Sequence, residues 1–184
     1  TYLDPNTDER LEILFEKMSK SKGNGVDPSK VISRYGADTA RMFVLFKAPP
    51  EKDLEWDEAD VEGQYRFIQR VIRLKDRSII RNIKVNNKCE LSFSKSNNLS
   101  DKEKEMRRFT HTSIKLVTIN LEENLQFNTA IAQLMILTNK ITELIDDIRD
   151  DVLVEALTVL ITLMAPFAPH ICDEIWSNLG SDKT

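Results

Sequence analysis

Apolar positions recur along most of this chain at intervals of three and four, the spacing of a helix with one buried side. Ile131, Leu134, Met135, Thr138, Ile141, Ile145 and Ile148 form the longest such stripe and predict a core helix from Asn128, its expected N-cap, to Ile148. Before it, Asp57 is expected to cap a long helix carrying Phe67, Ile68, Val71, Ile72, Leu74 and Ile79 on one side. Ser100-Asp101-Lys102-Glu103 has the form of a capping box and opens a helix with Met106, Phe109, Leu116, Val117 and Leu121 inward. The stretch from about Asp151 to Met164 is apolar around much of its circumference, which predicts a central helix ended by Pro166. Pro169 then starts a last helix through Ile171, Ile175, Trp176 and Leu179, stopped by Gly180.

The first quarter of the chain reads differently. Leu11-Glu12-Ile13-Leu14-Phe15 suits the end of a strand. Asp27-Pro28 starts a short helix over 28–35 with Val31, Ile32 and Tyr35 inward, and Gly36 closes it. Ala37 to Phe46 places Met42, Phe43, Leu45 and Phe46 in an apolar patch stopped by Ala48-Pro49-Pro50, the expected domain boundary. From Asn82 to Asn98 no period is sustained, and the Asn, Lys and Ser content predicts a long exposed loop. The reading is mainly α: residues 51–184 form an antiparallel bundle of about four helices, preceded over 1–50 by a small α/β unit.

Composition narrows the class without fixing the chemistry. The 184 residues are 41% hydrophobic and 30% charged, within the range of a packed globular chain. No run approaches the ~20 apolar residues that span a bilayer, so no membrane partner is expected. A net charge of -4 argues against wholesale coating by nucleic acid, so RNA contact requires a local basic face. Arg66, Arg70, Arg73, Arg77 and Arg81 supply one candidate, spaced by three and four along one helix. A solvated face is the competing reading of that row. Two cysteines, Cys89 and Cys172, with His111 and His170, make a poor metal set, and free thiols in a reducing compartment are expected. Asp146, Asp147, Asp150 and Asp151 read as a solvated helix junction, and both histidines as structural, each satisfied by a backbone group. Asp38 and Arg41, three apart, are expected to pair with each other.

The chemistry concentrates in Lys17-Met18-Ser19-Lys20-Ser21-Lys22-Gly23-Asn24, with three lysines, two hydroxyls and a glycine. Ammonium groups are compact point charges that follow phosphate oxygens, and hydroxyls and backbone N–H groups bond the same oxygens. The segment therefore suits a polyphosphate. Gly23 lets the backbone bend, Asn24 can brace the loop through its own backbone, and Met18 reads as packing.

Lys-Met-Ser-Lys-Ser followed by Gly-Asn resembles the signature loop of class I aminoacyl-tRNA synthetases. Gly25-Val26-Asp27-Pro28, Tyr35 to Arg41 and Ala48 to Trp56 look like the leucyl branch of that family. Phe127 to Ala132, Ala165 to Ile171, Glu174-Ile175-Trp176 and Leu179-Gly180 are similar to its anticodon-binding helices. The resemblance implies a Rossmann-domain remnant followed by the anticodon-binding bundle, and a leucine–tRNA ligase reaction using ATP, with Mg2+ carried by the nucleotide, leucine and tRNA(Leu). It implies Lys17, Met18, Ser19, Lys20, Ser21, Gly23 and Asn24 as ATP-binding residues, with Lys20 and Lys17 catalytic. It implies tRNA on the helical part, a monomer, and a bacterial or mitochondrial type of enzyme. Asn82 to Asn98 departs from the family pattern as a Lys/Asn-rich insertion, which leans the expectation to the mitochondrial matrix over a cytoplasm. The family's other ATP signature, His-Ile-Gly-His, does not occur in the 184 residues, so the chain is expected to be an internal piece, inactive alone. A non-catalytic RNA- or protein-binding helical module, or a valyl or isoleucyl relative, are the alternatives.

Overall fold

The computed structural model describes residues 2–3, 5–7, 10–11, 16–80 and 98–179. Most of the expected strand at 11–15, residues 82–97 of the expected loop, Arg81, Cys89 and Gly180 lie outside the described residues. The chain starts with a two-stranded antiparallel pair, β1 (Tyr2–Leu3) and β2 (Arg10–Leu11), in which Tyr2 is opposite Leu11. Helices follow: α1 (Pro28–Tyr35), α2 (Ala37–Lys47), α3 (Glu58–Ile80), α4 (Asp101–Glu122), α5 (Phe127–Leu144), α6 (Asp150–Met164) and α7 (Pro169–Leu179). Among the described residues no helix is long and apolar enough to cross a membrane.

Local side-chain caps set the starts of α1, α3 and α4. The Asp27 carboxylate accepts from the Ser29 N–H at 2.9 Å, and Pro28 at the first helical position gives up no bond. Asp57 does the same for Ala59 at the start of α3, also at 2.9 Å. At α4 the capping box is complete: Ser100 Oγ accepts from Glu103 N, and the Glu103 carboxylate accepts from Ser100 N at 2.7 Å. Asn128 is not the cap of α5, which begins one residue earlier behind Gln126. The Asn128 side-chain oxygen is instead buried without a hydrogen-bond partner among the described residues. From α4 onward short links return each helix onto its predecessor, and the one between α4 and α5 is tight enough to hold Leu125 at φ 50°.

The bundle comprises α3 to α7, one helix more than expected, and α2 packs on it. Its core takes in the whole predicted stripe of α5, with Ile145 and Ile148 in the turn beyond the helix, and most of α6. Met42 of α2 joins this core, while its neighbour Phe43 turns into a second, smaller one with Val31 and Val61. Phe43 meets Trp56 edge to face there, centroids 4.8 Å apart. Three residues expected inside lie outside. Ile32 is 46% exposed because Val31 and Tyr35, four apart, take the inner face of α1, and Ile79 and Leu116 sit at the margins of their stripes at 42% and 38%.

Candidate nucleotide loop and basic helix face

The lysine segment is held in shape by its own atoms. The Asn24 side chain spans it, accepting from Ser19 N at 2.8 Å and donating to the Lys17 carbonyl at 3.4 Å. Ser19 Oγ accepts from Lys22 N, and Gly23 N donates to the Lys20 carbonyl, each at 3.3 Å. Gly23 takes φ +63°, the left-handed region that costs glycine least, so the turn demands that residue. The lysines divide: Lys22 bonds Glu16 at 2.6 Å, while Lys17 and Lys20 stand exposed on the braced turn. Ser19 Oγ and Ser21 Oγ lie 3.3 Å apart, which sets two hydroxyls beside those cations. Met18 does not pack as expected: it is 43% exposed on a loop closed by polar bonds.

The arginine row of α3 separates into two uses. Arg66, Arg70 and Arg73 border an open depression of about 550 Å³ with Gly63, Tyr65 and Gln69. Among the described residues Arg66 reaches only Glu62, at 3.7 Å, and Arg70 lies over the Phe67 ring with a long contact to Asn139. Arg77 instead crosses to α5 and the turn after it, bonding Asp146 at 2.6 Å and the Thr142 carbonyl at 3.4 Å. Arg81 lies outside the described residues. Sequence reasoning missed Tyr65 and Gln69, although 65, 69 and 73 share the four-residue spacing of one helix face. Tyr65 meets Tyr35 edge to face at 5.7 Å, and Arg34 lies over Tyr35 while bonding Glu58. Through these contacts α1 is fastened to the same end of α3.

Three further sequence readings need correction. Asp38 and Arg41 do not pair; both reach across to the α6–α7 corner. The Asp38 carboxylate accepts from His170 Nδ1 and from Ile171 N, each at 2.7 Å. Arg41 donates to the Pro166 carbonyl at 3.0 Å and to that of Phe167 at 3.3 Å. His170 is therefore satisfied by a carboxylate and not by backbone, and so is His111, whose Nε2 lies 2.9 Å from Glu155 Oε1. His170 is largely exposed while Cys172, two residues on, is buried, so the two diverge from any common ligand. Burial first, and the Asp38 charge second, push the Cys172 thiol up to about 12. In the acidic junction Asp146 pairs with Arg77 and Asp147 with Lys102.

A braced cationic loop feeding two short helices, followed by a helix bundle with a basic face, is matched by two family models. Residues 15–57 match tRNA synthetases class I (I, L, M and V), and residues 103–184 match the anticodon-binding domain of tRNA ligase. The chain is thus built from a class I tRNA synthetase segment joined to a tRNA-ligase anticodon-binding domain. It is 54% identical over 182 residues to a leucine–tRNA ligase of Prochlorococcus marinus (strain MIT 9211), covering 97% of this chain and 20% of that protein. A leucine–tRNA ligase of Synechococcus elongatus is 51% identical, covering 99% of this chain and 20% of the relative. A crystal structure of the Agrobacterium radiobacter K84 LeuRS–tRNA–LeuAMS ternary complex superimposes with a TM-score of 0.81 at 31% identity, over 91% of this chain and 21% of that one. The chain belongs to the leucine–tRNA ligase family and spans about a fifth of the length of these relatives.

Proposed function

We propose that this chain supplies the mobile half of an ATP site and the tRNA-facing helices of a leucine–tRNA ligase. In leucine activation a carboxylate attacks the α-phosphorus of ATP and pyrophosphate leaves, so negative charge grows on phosphate oxygens. The observation that carries the reading is the loop: its internal bonds fix the turn and leave Lys17 and Lys20 exposed, with no carboxylate partner among the described residues. Lys20 is the principal catalytic residue and Lys17 its neighbour in charge, with Ser19 and Ser21 as hydroxyl donors. Glu16, the carboxylate nearest in sequence, is engaged by Lys22, so Mg2+ enters with the nucleotide phosphates. Lys20→Ala in the intact ligase should lower leucine-dependent ATP–pyrophosphate exchange about a hundredfold. Exchange at the wild-type rate would overturn the assignment.

The basic face supports contact with tRNA(Leu). Arg66, Arg70 and Arg73 are the phosphate binders in this reading, and Arg77 belongs to the bundle. Replacing Arg70 and Arg73 by Ala should weaken tRNA(Leu) binding and lower its salt slope by about 2, whereas Arg77→Ala should leave the slope unchanged. The intact enzyme acts as a monomer in this proposal, which sedimentation would test. The mitochondrial matrix is the proposed location, with a bacterial cytoplasm as the alternative suggested by the relatives' cyanobacterial sources, and fractionation of the source cells would decide.

A further inference from the structure

Among the described residues the loop at Lys17–Asn24 bonds only to itself and to Glu16, so its placement depends on what lies beneath it. Val26, just past it, packs against the small core of Val31, Phe43 and Val61, which α1, α2 and α3 share. The loop therefore rides on α1 and α2. Apolar packing of α2 on the bundle is non-directional, and the Lys47–Asp60 ion pair ties only its C-terminal end to α3. The directional bonds from α2 to the α6–α7 corner are those of Asp38 and Arg41.

These bonds also complete α7. Its N-cap position is Ala168, which has no side-chain acceptor, and Pro169 follows at the first helical position. The next N–H groups of the first turn need an acceptor from elsewhere. Asp38, 7% exposed, supplies it to Ile171 from 133 residues away and places negative charge at the positive end of the helix. Arg41 meanwhile occupies carbonyls of the turn that ends α6. One face of α2 thus satisfies both an orphan donor and orphan acceptors at a single corner of the bundle.

We infer that Asp38 and Arg41 are positioning residues for the lysine loop, acting as a latch that sets α1 and α2 against the end of the anticodon-binding bundle. This rests on the ligase reading of the loop. Eight-residue α1 is about 12 Å long, so a tilt of about 5° at the Gly36 corner moves its loop end by about 1 Å. A misplacement of that size can cost up to about a hundredfold in rate.

The test uses the intact ligase and leucine-dependent ATP–pyrophosphate exchange, with melting temperature measured on every variant. Asp38→Ala and, independently, the exposed Arg41→Ala should lower kcat by about tenfold or more with KM for leucine unchanged. The discriminating variant is Asp38→Ala combined with Ala168→Ser, whose hydroxyl can cap Ile171 N within α7 itself. It should recover melting temperature and leave kcat depressed. Recovery of both would reduce Asp38 to a helix cap and overturn the latch, as would wild-type kcat in Arg41→Ala. Lys20→Ala runs alongside: if it loses activity while the latch variants do not, only the latch fails, and if it retains activity the ligase reading fails as well.

Discussion

Glu155 sits in the middle of α6 with its side chain fully buried, facing Arg107 at 3.1 Å and His111 at 2.9 Å, both on α4. The Arg107 contact is a charge pair and not an aligned hydrogen bond, since neither Arg107 Nε nor Glu155 Oε2 has a hydrogen-bond partner of proper geometry among the described residues. Replacing Glu155 by Met keeps volume but strands the Arg107 charge, which is only a quarter exposed. Breaking a buried pair from one side costs about 3–5 kcal/mol, and the partial access of Arg107 to water argues for about 3. Arg107→Met strands less, because Glu155 Oε1 keeps His111, and about 2 kcal/mol is expected. The double Met variant has no stranded charge and should lie within about 2 kcal/mol of the wild type, leaving a coupling of about 3 kcal/mol. Urea denaturation at neutral pH, with m-values compared, measures all four corners of the cycle. Single losses that simply add to about 5 kcal/mol in the double variant would refute a joint role for the pair.

Three other outcomes are expected. Glu103, held by the Ser100 N–H and by the backbone and guanidinium of Arg149, has its carboxyl lowered from the usual 4.5, first by the Ser100 bond. The wild type should therefore outlast Glu103→Gln in denaturation above that value, and the advantage should vanish as pH falls through the lowered range; a gap of constant size down to strong acid would contradict it. Gly36 joins α1 to α2 at φ 86° and ψ 156°, a conformation that side chains rarely adopt, so Gly36→Ala should lose about 1–3 kcal/mol in the same assay although its Cβ meets open space. Cys172, with its thiol pushed up to about 12, should resist iodoacetamide at pH 8 until denaturant is added, read by mass mapping of its peptide.

What could be read from the chain were features decided within a few residues. Asp27, Asp57 and the Ser100–Glu103 box cap the helices they precede, because donor and acceptor lie two or three positions apart. The α5 stripe is likewise local, a matter of which side of one helix is apolar. In the lysine loop the bracing role of Asn24 was legible, though not the pairing of Lys22 with Glu16. Asp38 with His170, His111 with Glu155 and Arg77 with Asp146 were not, at separations of 132, 44 and 69 residues. Such partners depend on which helices adjoin, and helical periodicity carries no information on that. Asp38 and Arg41 show the failure plainly: the i,i+3 rule predicted the pair, and partners at the distant α6–α7 corner took both side chains.

Met42 and Phe43, consecutive on α2 and so about 100° apart around its axis, face different cores, one the bundle core and the other the small core under the loop. A wall shared by two compartments cannot be removed from one of them alone. Melting either core exposes the back of the other, so the two should open in a single cooperative transition despite the double proline at 49–50. Amide hydrogens in the middle of α2 should then exchange only through global unfolding, which places the slowest-opening backbone of the loop's support beside the bundle and not beside the lysines.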